Sequence, residues 1–338
     1  MYPITLTKKL DDIEICGMRL DELEHPGFKY PWEIIEWARQ SITQNLKLNP
    51  EPRKLSGLGQ NHNSKLKTIE ADDAPQSVLE GDMFVWCGAN VRIDSFVVLN
   101  TEQGEIIIDE GVRVYPFSYI EGPCYIGAHT EIRPHAQIRK NTSIGHHCKI
   151  GGEVSGSIIQ PYTNKAHYGF LGDSYIGSWV NLGAGTTTSN LKNTYGPVRV
   201  EYPLEKLQII TAKRDPVCGT NYHREAGSRL RDKLQIQKID TGMQFLGCIM
   251  GDYVKTSINT SIYTGKIIGV YAQLFGNVRE NVGSFVMDTY DGPKEFELEA
   301  AIRAQKRMFE RRGINQTKED AAFLKRVFDE TKHERSEL

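Results

Sequence analysis

The chain lacks the features that mark membrane-spanning, disulfide-stabilised and nucleic-acid-binding proteins. No apolar run approaches the roughly 20 residues of a membrane-spanning helix. Its six cysteines are scattered without a C-x-x-C pair, which indicates reduced thiols rather than a disulfide framework or a zinc site. Lysine plus arginine (41) nearly balance aspartate plus glutamate (43), so the charge gives no general affinity for nucleic acid or an anionic membrane.

The first residues also lack the pattern of a secretory signal. In residues 1–9 the basic pair follows the apolar residues instead of preceding them, and two aspartates come soon afterwards. Together with the reduced thiols, this predicts a cytoplasmic location.

What the chain does contain is a six-residue repeat of aliphatic side chains. A period of six fits neither the helical period of about 3.6 nor the strand period of about 2. It does fit a parallel β-helix, in which each face of a triangular coil sends one aliphatic side chain into a shared stack. The uninterrupted series is Ile108, Val114, Ile120, Ile126, Ile132, Ile138, Ile144 and Ile150.

The same period returns twice further along the chain, in a shifted phase. It is present at Ile176 and Leu182, and again over residues 250–274. Residues 199–240 break it with a mixture of charged residues, which predicts an excursion from the solenoid. The sequence therefore predicts a mainly β fold, with a β-helix over about 81–290 that contains this excursion.

The two ends of the chain predict helices. Apolar residues at 34, 35, 38 and 42 have helical spacing after Pro31, a residue suited to a first turn. This helix belongs to an expected N-terminal region and linker over residues 1–80, in which 50–78 is rich in proline, glycine and asparagine.

A C-terminal helical segment is expected over residues 291–338. Its first helix is predicted to end near Gly313, and Thr317 with Asp320 resembles a capping box that opens the second. Helices in this position are expected to cover the open end of the solenoid, where unpaired strand edges would invite aggregation.

The interruption of the period between Ile158 and Ile176 is more informative about function than the repeat itself. We expect a loop to leave the solenoid wall here and to carry His167. The next coil has small residues at 183–185, where a ligand can approach the backbone closely and meet N–H donors.

At these residues the chain resembles the acetyltransferase half of the bifunctional sugar-1-phosphate nucleotidyltransferase/amino-sugar-1-phosphate acetyltransferases. Asn-Lys-Ala-His167 and Ile239-Asp-Thr-Gly-x-Gln-Phe-x-Gly-x-Ile-Met-Gly-Asp252 resemble more closely a variant subgroup of the glucosamine-1-phosphate N-acetyltransferase/N-acetylglucosamine-1-phosphate uridyltransferase-like proteins. The combination of H-x-x-F-L-G-D with N-x-G-A-G-T carries the specificity of the resemblance. The matching pieces are Tyr119-Ile-Glu-Gly-Pro, Ile132-Arg-Pro, Glu153-Val-Ser-Gly-Ser-Ile-Ile, His167-x-x-Phe-Leu-Gly-Asp173, Val180-Asn-x-Gly-Ala-Gly-Thr186 and Ser189-Asn190.

The resemblance implies a left-handed parallel β-helix that forms a homotrimer, with active sites between neighbouring subunits. It implies acetyl-CoA as co-substrate and an amino-sugar phosphate such as glucosamine 1-phosphate as acceptor; the residues themselves predict no metal site. Full-length relatives begin with a nucleotidyltransferase domain, but residues 1–80 are too few for it and hold no G-x-G-T-R-M-x-x-x-x-P-K loop. The expectation is that this core has been lost.

The resemblance also assigns catalytic roles. An amino sugar is mostly ammonium at neutral pH, and imidazole, with an ordinary pKa of about 6.5, is suited to take its proton. His167 occupies the position of the general base and Glu153 that of the residue that orients it. Ala184 lies where a backbone N–H can stabilise the oxyanion of the tetrahedral intermediate.

Further residues are implied to bind the two substrates. Asn181 matches a position that contacts the sugar, and Arg133 one that binds the substrate phosphate, for which a forked guanidinium is apt. Asn190, together with the backbone at Ala184 and Gly185, matches positions that contact acetyl-CoA.

Two residues depart from the family pattern. Ser155 stands where the family has a lysine that binds phosphate, although Lys165 lies nearby and is a candidate replacement. Phe170 stands where the family has a tyrosine in the substrate site. The sugar phosphate is therefore held differently, or the acceptor is another amino sugar.

Other interpretations of the same residues stay open. His167 in a turn is compatible with a solvated side chain, and the basic residues of 199–240 with either coenzyme A phosphates or a solvated loop. Two further classes of function remain: a nucleotidyltransferase-type protein or subunit, and a non-catalytic β-helix scaffold. Four histidines suggest metal binding, but solvated turn positions are the favoured interpretation for His129, His135, His146 and His147.

Overall fold

The structure is a computed structural model that describes residues 1–47, 67–68, 76–203, 236–335 and 338. Its main body is a β-solenoid of stacked parallel strands with three faces, which confirms the predicted fold class. All eight aliphatic residues of the uninterrupted series are completely buried in one core. The interior is therefore a continuous stack in which each coil covers the apolar side chains of the coil below it.

The first face is a nine-stranded sheet whose strands are parallel except at one edge, where Lys67–Thr68 pairs antiparallel. Its strands are Lys67–Thr68, Val85–Cys87, Ile106–Ile108, Cys124–Ile126, Thr142–Ile144, Ile158–Ile159, Tyr175–Ile176, Cys248–Met250 and Lys266–Ile268.

The second face begins with five parallel strands and continues through bridges at Asn181 into a second group, which ends in an antiparallel pair. Its strands are Arg92–Ile93, Arg113–Val114, Glu131–Ile132, Lys149–Ile150, Asn164–Lys165, Lys255–Thr256, Gln273–Leu274, Val286–Thr289 and Gly292–Glu295.

The third face consists of six parallel strands followed by a group of three. Its strands are Val78–Glu80, Val98–Asn100, Tyr119–Glu121, Gln137–Ile138, Glu153–Ser155, Phe170–Gly172, Thr187–Thr188, Ser261–Ile262 and Asn277–Val278.

The chain between Ile158 and Ile176 stays in the solenoid wall, so the expectation of a loop that leaves the wall is wrong. This segment supplies one strand to the second face and one to the third, and both pair in parallel with the coil below. The period fails because the corner over residues 151–152 is two residues shorter than the corners below it, and because Lys165 takes the place of an aliphatic residue six positions after Ile159. Corners tolerate such a change because they lie outside the strand pairing.

Residues 1–47 pack on the outside of the first face, where their apolar side chains share a second core with the outward-facing residues of that sheet. They contain the predicted helix, α1, which spans Pro31–Lys47. The other elements are the short helices Ile4–Leu6, Leu10–Asp12 and Leu20–Glu22 and the antiparallel strands Glu14–Ile15 and Met18–Arg19. Most of the predicted linker lies outside the described residues.

An antiparallel pair of strands stands at the predicted excursion. The strands are Arg199–Pro203 and Ile236–Asp240, and residues 204–235 between them lie outside the described residues. The pair packs against the N-terminal region through Val198, Val200 and Tyr202.

The C-terminal helices are α2, Leu298–Glu310, and α3, Lys318–Glu330, and a short helix, Lys332–Arg335, follows them. They pack against the side of the last coils rather than over the open end. The reason is a column of stacked rings at the corner between the first and second faces, which offers them an apolar surface. No helix in the described ranges is long and apolar enough to span a membrane.

The predicted capping box at the start of α3 is confirmed, and it provides a test of this packing. The Thr317 hydroxyl accepts a hydrogen bond from the Asp320 N–H (3.2 Å), and the Asp320 carboxylate accepts one from the Thr317 N–H (2.7 Å). We expect Thr317→Ala to destabilise α3 by about 1 kcal/mol, the usual effect of losing such a cap. Hydrogen exchange of the α3 amides measures this, with the exposed Lys318→Ala as the control; equal protection in both variants would contradict it.

Candidate active site

The site predicted around His167 lies at the corner where the second face passes into the third. Each coil turns here through a residue with positive φ. In three lower coils these residues are bulky and their rings stack: Phe96, Phe117 and His135. In the next three coils they are Gly152, Gly169 and Gly185. The surface of the corner therefore changes from stacked side chains to bare backbone in the coils that carry the predicted site.

The His167 corner is longer than the one beneath it. Four residues (166–169) join the strands Asn164–Lys165 and Phe170–Gly172, whereas two (151–152) join the corresponding strands of the coil below. The side chain of His167 is exposed. In the described part of the chain, its imidazole makes no hydrogen bond or ion pair, so it is available to a ligand.

Ala184 lies next to His167 in the following coil. Asn164 pairs with Asn181, and the Gly185 N–H donates to the Tyr168 carbonyl at 3.1 Å, so the two corners run side by side. Adjacent strands are about 4.8 Å apart. The Ala184 carbonyl accepts from Asn259 (2.7 Å), while its N–H has no acceptor among the described residues. An N–H donor near an exposed imidazole can stabilise an oxyanion that forms at this corner.

Lys165 is buried beneath this corner. It pairs in register with Ile150, so its side chain occupies an interior position of the stack and is only 2% exposed. The ammonium donates to the carbonyls of Gly151 (2.7 Å) and His167 (3.0 Å). Burial lowers the pKa of Lys165 to about 8, and the nearby Glu153 carboxylate opposes this effect. In this structure Lys165 holds the His167 corner from inside, instead of presenting its charge to a substrate phosphate.

Glu153 and Phe170 are neighbours on the third face, beside the same corner. They pair in register on adjacent strands, and the Glu153 N–H donates to the Gly169 carbonyl at 3.2 Å. The Glu153 carboxylate lies 3.6 Å from the Arg139 guanidinium. No bond between Glu153 and the His167 imidazole is found within the described ranges. The sequence did not identify Arg139 as a site residue. Arg139 lies one coil below Ser155, so it places a cation near the position where the family has a phosphate-binding lysine.

Asn190 lies at the opposite edge of the third face. Its amide donates to the Asp173 carboxylate at 2.6 Å, and Arg39 of α1 forms an ion pair with the other oxygen of that carboxylate. Burial raises the pKa of Asp173, and both partners oppose the shift by stabilising the charged form. Sequence reasoning missed Arg39 and Asp173 as parts of the site.

A groove of about 490 Å³ opens on the third face, next to Asn190. Most of its lining side chains carry a hydroxyl or amide group, although they expose slightly more nonpolar than polar surface. The lining residues are Thr187, Thr188, Ser189, Leu191, Lys192, Asn193, Ser261, Ile262, Tyr263, Thr264 and Asn277. The groove therefore suits an extended chain with amide groups better than a compact apolar ligand.

Two predicted substrate-binding residues lie apart from the corner. Asn181 faces outward on the second face, where its oxygen is 3.4 Å from the Asn164 amide. Arg133 lies two coils below Ala166 on the same edge as His167, and its guanidinium donates to Glu131 at 2.7 Å. The structure thus brings together His167, Ala184, Gly185 and Lys165, places Glu153 and Phe170 beside them, and separates Asn181, Arg133 and Asn190 from them.

The remaining histidines do not all occupy solvated positions, as the sequence suggested. His129, His135 and His147 are corner residues with positive φ. His146 is half-buried, and its Nδ1 lies 2.9 Å from that of His147. Burial lowers the pKa of His146 to about 4. Across the described segments, no group of three or more histidine, cysteine, aspartate or glutamate residues is arranged to hold a metal ion.

Comparison with known proteins gives matches to this part of the fold. Residues 105–140 match the family model described as "Bacterial transferase hexapeptide (six repeats)". The chain is 40% identical over 108 residues to "Bifunctional protein GlmU" of Acidithiobacillus ferrooxidans (strain ATCC 53993 / BNL-5-31), which is 31% of this chain and 23% of that protein. It is 34% identical over 143 residues to the protein of the same name from Legionella pneumophila (strain Lens), 37% of this chain and 30% of that one.

One solved structure also overlaps the fold. It is described as "Activity and Crystal Structure of Francisella novicida UDP-N-Acetylglucosamine Acyltransferase" and covers 77% of this chain and 84% of that chain. Its TM-score is 0.33 at 14% identity. So loose a superposition supports no conclusion about function.

The stacked strands show a β-solenoid, and residues 105–140 match the repeat of the bacterial transferase hexapeptide. Over about a third of its length it is similar to proteins named Bifunctional protein GlmU, which confirms the predicted resemblance. The chain spans about a quarter of the length of the curated relatives it matches.

Proposed function

We propose that this protein is an acetyl-CoA-dependent N-acetyltransferase whose acceptor is an amino-sugar phosphate such as glucosamine 1-phosphate. The observation that carries the proposal is the corner at which the exposed His167 lies one coil below Ala184, whose N–H has no acceptor among the described residues. The similarity to Bifunctional protein GlmU supports the class of substrate.

The reaction follows from these two groups. The amine of the acceptor attacks the thioester carbonyl of acetyl-CoA, so a C–N bond forms and the carbonyl oxygen becomes an oxyanion. His167 takes the proton that the amine loses, and the Ala184 N–H donates to the oxyanion. The C–S bond then breaks, and the proton passes from His167 to the departing coenzyme A thiolate. Glu153 orients the imidazole in the substrate complex, where active-site hydrogen bonds commonly tighten.

The groove on the third face supports the assignment of the acyl donor. Its hydroxyl and amide lining matches the amide groups of a pantetheine arm, and Asn190 lies at its edge. Because no cysteine accompanies the histidine, transfer is direct from donor to acceptor. The assembly is proposed to be a homotrimer, in which a neighbouring copy adds groups to the exposed site.

The phosphate of the acceptor needs a cation other than Lys165, whose ammonium is bound to backbone carbonyls. Arg139 is partly exposed on the third face beside Glu153, and Arg133 is partly exposed at Glu131 of the second face. We assign the phosphate to one of these guanidinium groups, which suit an oxyanion with several acceptor oxygens.

Release of free thiol from acetyl-CoA in the presence of glucosamine 1-phosphate tests the proposal directly. We expect thiol release to depend on both substrates and the product to carry an N-acetyl group by mass spectrometry. Glucosamine without the phosphate is the matched control for the acceptor. Absence of acetyl-CoA binding by titration calorimetry would refute the acyltransferase assignment and favour a scaffold.

A further inference from the structure

The Asp173 carboxylate joins the N-terminal region to the groove. Asp173 ends the motif that begins at His167, lies at the corner between the third and first faces, and has a φ of 47°. Its side chain is only 10% exposed. One carboxylate oxygen accepts from the Asn190 amide at 2.6 Å, and the other is paired with the Arg39 guanidinium. Both partners are needed, because a buried carboxylate without them is strongly unfavourable.

Asn190 in turn fixes one wall of the groove. Its two neighbours in sequence, Ser189 and Leu191, both line the groove. The Asn190 carbonyl accepts from the Leu246 N–H at 2.8 Å, so this residue is held by its side chain on one side and by its backbone on the other. Loss of the bond from the Asn190 amide to Asp173 would therefore leave the segment from Ser189 to Leu191 less firmly positioned.

Arg39 reaches Asp173 because α1 is firmly seated on the first face. The apolar side of α1 is almost completely buried there, and its members include Trp32, Ile34, Ile35, Ala38 and Ile42. The guanidinium has one further carboxylate neighbour, Glu36, at 3.9 Å and more exposed. The pairing with Asp173 is therefore the main polar contact of Arg39.

We infer that Arg39 is a positioning residue for the acyl donor: through Asp173 it holds Asn190, and through Asn190 it shapes the groove in which the donor binds. The N-terminal region is thus part of the binding machinery and not only a cover for the first face. This inference rests on the proposed function, since it takes the groove to be the donor site.

Titration of the full-length chain with acetyl-CoA tests the inference. We expect Arg39→Ala to weaken acetyl-CoA binding about tenfold, the scale on which loss of one hydrogen bond to a charged group weakens an interaction. Arg39→Lys should recover part of the loss, because it keeps the charge. Arg19→Ala is the matched control, since Arg19 lies in the same region and its guanidinium pairs, within the described ranges, with the exposed Asp12 and Asp21.

A double-variant cycle separates positioning from a general effect on the fold. If Arg39 acts through Asn190, then R39A combined with Asn190→Ala binds no more weakly than N190A alone. Full additivity of the two losses, or unchanged binding by R39A, would overturn the inference.

Should R39A be insoluble, R39Q combined with Asp173→Asn replaces it, because that pair leaves no buried charge. Failure of the wild type to bind acetyl-CoA refutes the proposed function, whereas binding by the wild type and R39A alike refutes only this inference.

Discussion

Replacing His167 by alanine is expected to slow acetyl transfer to glucosamine 1-phosphate by about 10²–10⁴-fold, the usual contribution of a positioned general base. The amine must lose a proton to form a neutral amide, and no other imidazole of the described residues occupies the corner beside Ala184. Because the His167 imidazole makes no bond to the described residues, its removal should leave the fold intact. Steady-state thiol release measures the rate, and titration with acetyl-CoA should show unchanged donor binding.

His135 provides a matched control for this experiment. It is also an exposed histidine at the corner between the second and third faces, but it lies in a lower coil and stacks on Phe117 at 5.1 Å. His135→Ala should therefore transfer acetyl groups at the wild-type rate. A wild-type rate in the His167 variant, or an equal loss in both variants, would contradict the proposed role of His167.

The fold could be predicted because its sequence signal is repeated many times. Every interior position of a solenoid has nearly the same surroundings, so one preference for an aliphatic side chain recurs with a fixed period. Ile108, Ile126 and Ile144 occupy successive coils of the first face in register, and all three are completely buried. The strength of the prediction came from this repetition and not from any single residue.

The connection between Arg39 and Asp173 could not be predicted in the same way. The two residues are 134 positions apart, and neither belongs to a repeating pattern. The spacing of the apolar residues predicts α1, but it does not say which face of the solenoid the helix covers. That choice depends on the outward-facing Tyr125, Ile158 and Tyr175, which interrupt the polar exterior of the first face.

The buried position of Lys165, which was expected to bind a substrate phosphate, could not be predicted for a different physical reason. A charged residue is expected at the surface, so its place in the interior stack between Ile150 and Leu182 contradicts the usual rule. Two adjacent corners make this possible, because the carbonyls of Gly151 and His167 both accept from the ammonium. The sequence showed only a lysine at a position six residues after Ile159, where the period places an aliphatic residue.

Replacing Lys165 by methionine is expected to lower kcat by up to about 10²-fold, because the bond that fixes the His167 carbonyl is lost and small misplacements of a catalytic group are that costly. The same substitution should also change how the free energy of unfolding depends on pH. In the native state the pKa of Lys165 is lowered to about 8 from 10.5 by burial. Between these values the unfolded chain binds more protons than the folded one, so Lys165 makes stability rise with pH in that window.

Titration of Lys165 should raise the free energy of unfolding by roughly 3 kcal/mol, at about 1.36 kcal/mol for each pKa unit. This rise should be absent from the Lys165→Met variant. Denaturant unfolding of both proteins between pH 7 and pH 11 measures this rise.

Lys255→Met is the matched control for the effect on kcat. The Lys255 ammonium also donates to two carbonyls, those of Trp179 (2.7 Å) and Tyr253 (3.1 Å), and burial lowers its pKa to about 7.

The two lysines differ in what they hold, and this difference decides the interpretation. Lys255 anchors the corner between the first and second faces, whereas Lys165 anchors the corner that carries His167. Both substitutions should change the dependence of stability on pH, but only Lys165→Met should lower kcat. An equal loss of kcat in both variants would mean that a rigid solenoid is all that turnover requires. Loss in the Lys165 variant alone would show that this ammonium sets the position of the general base.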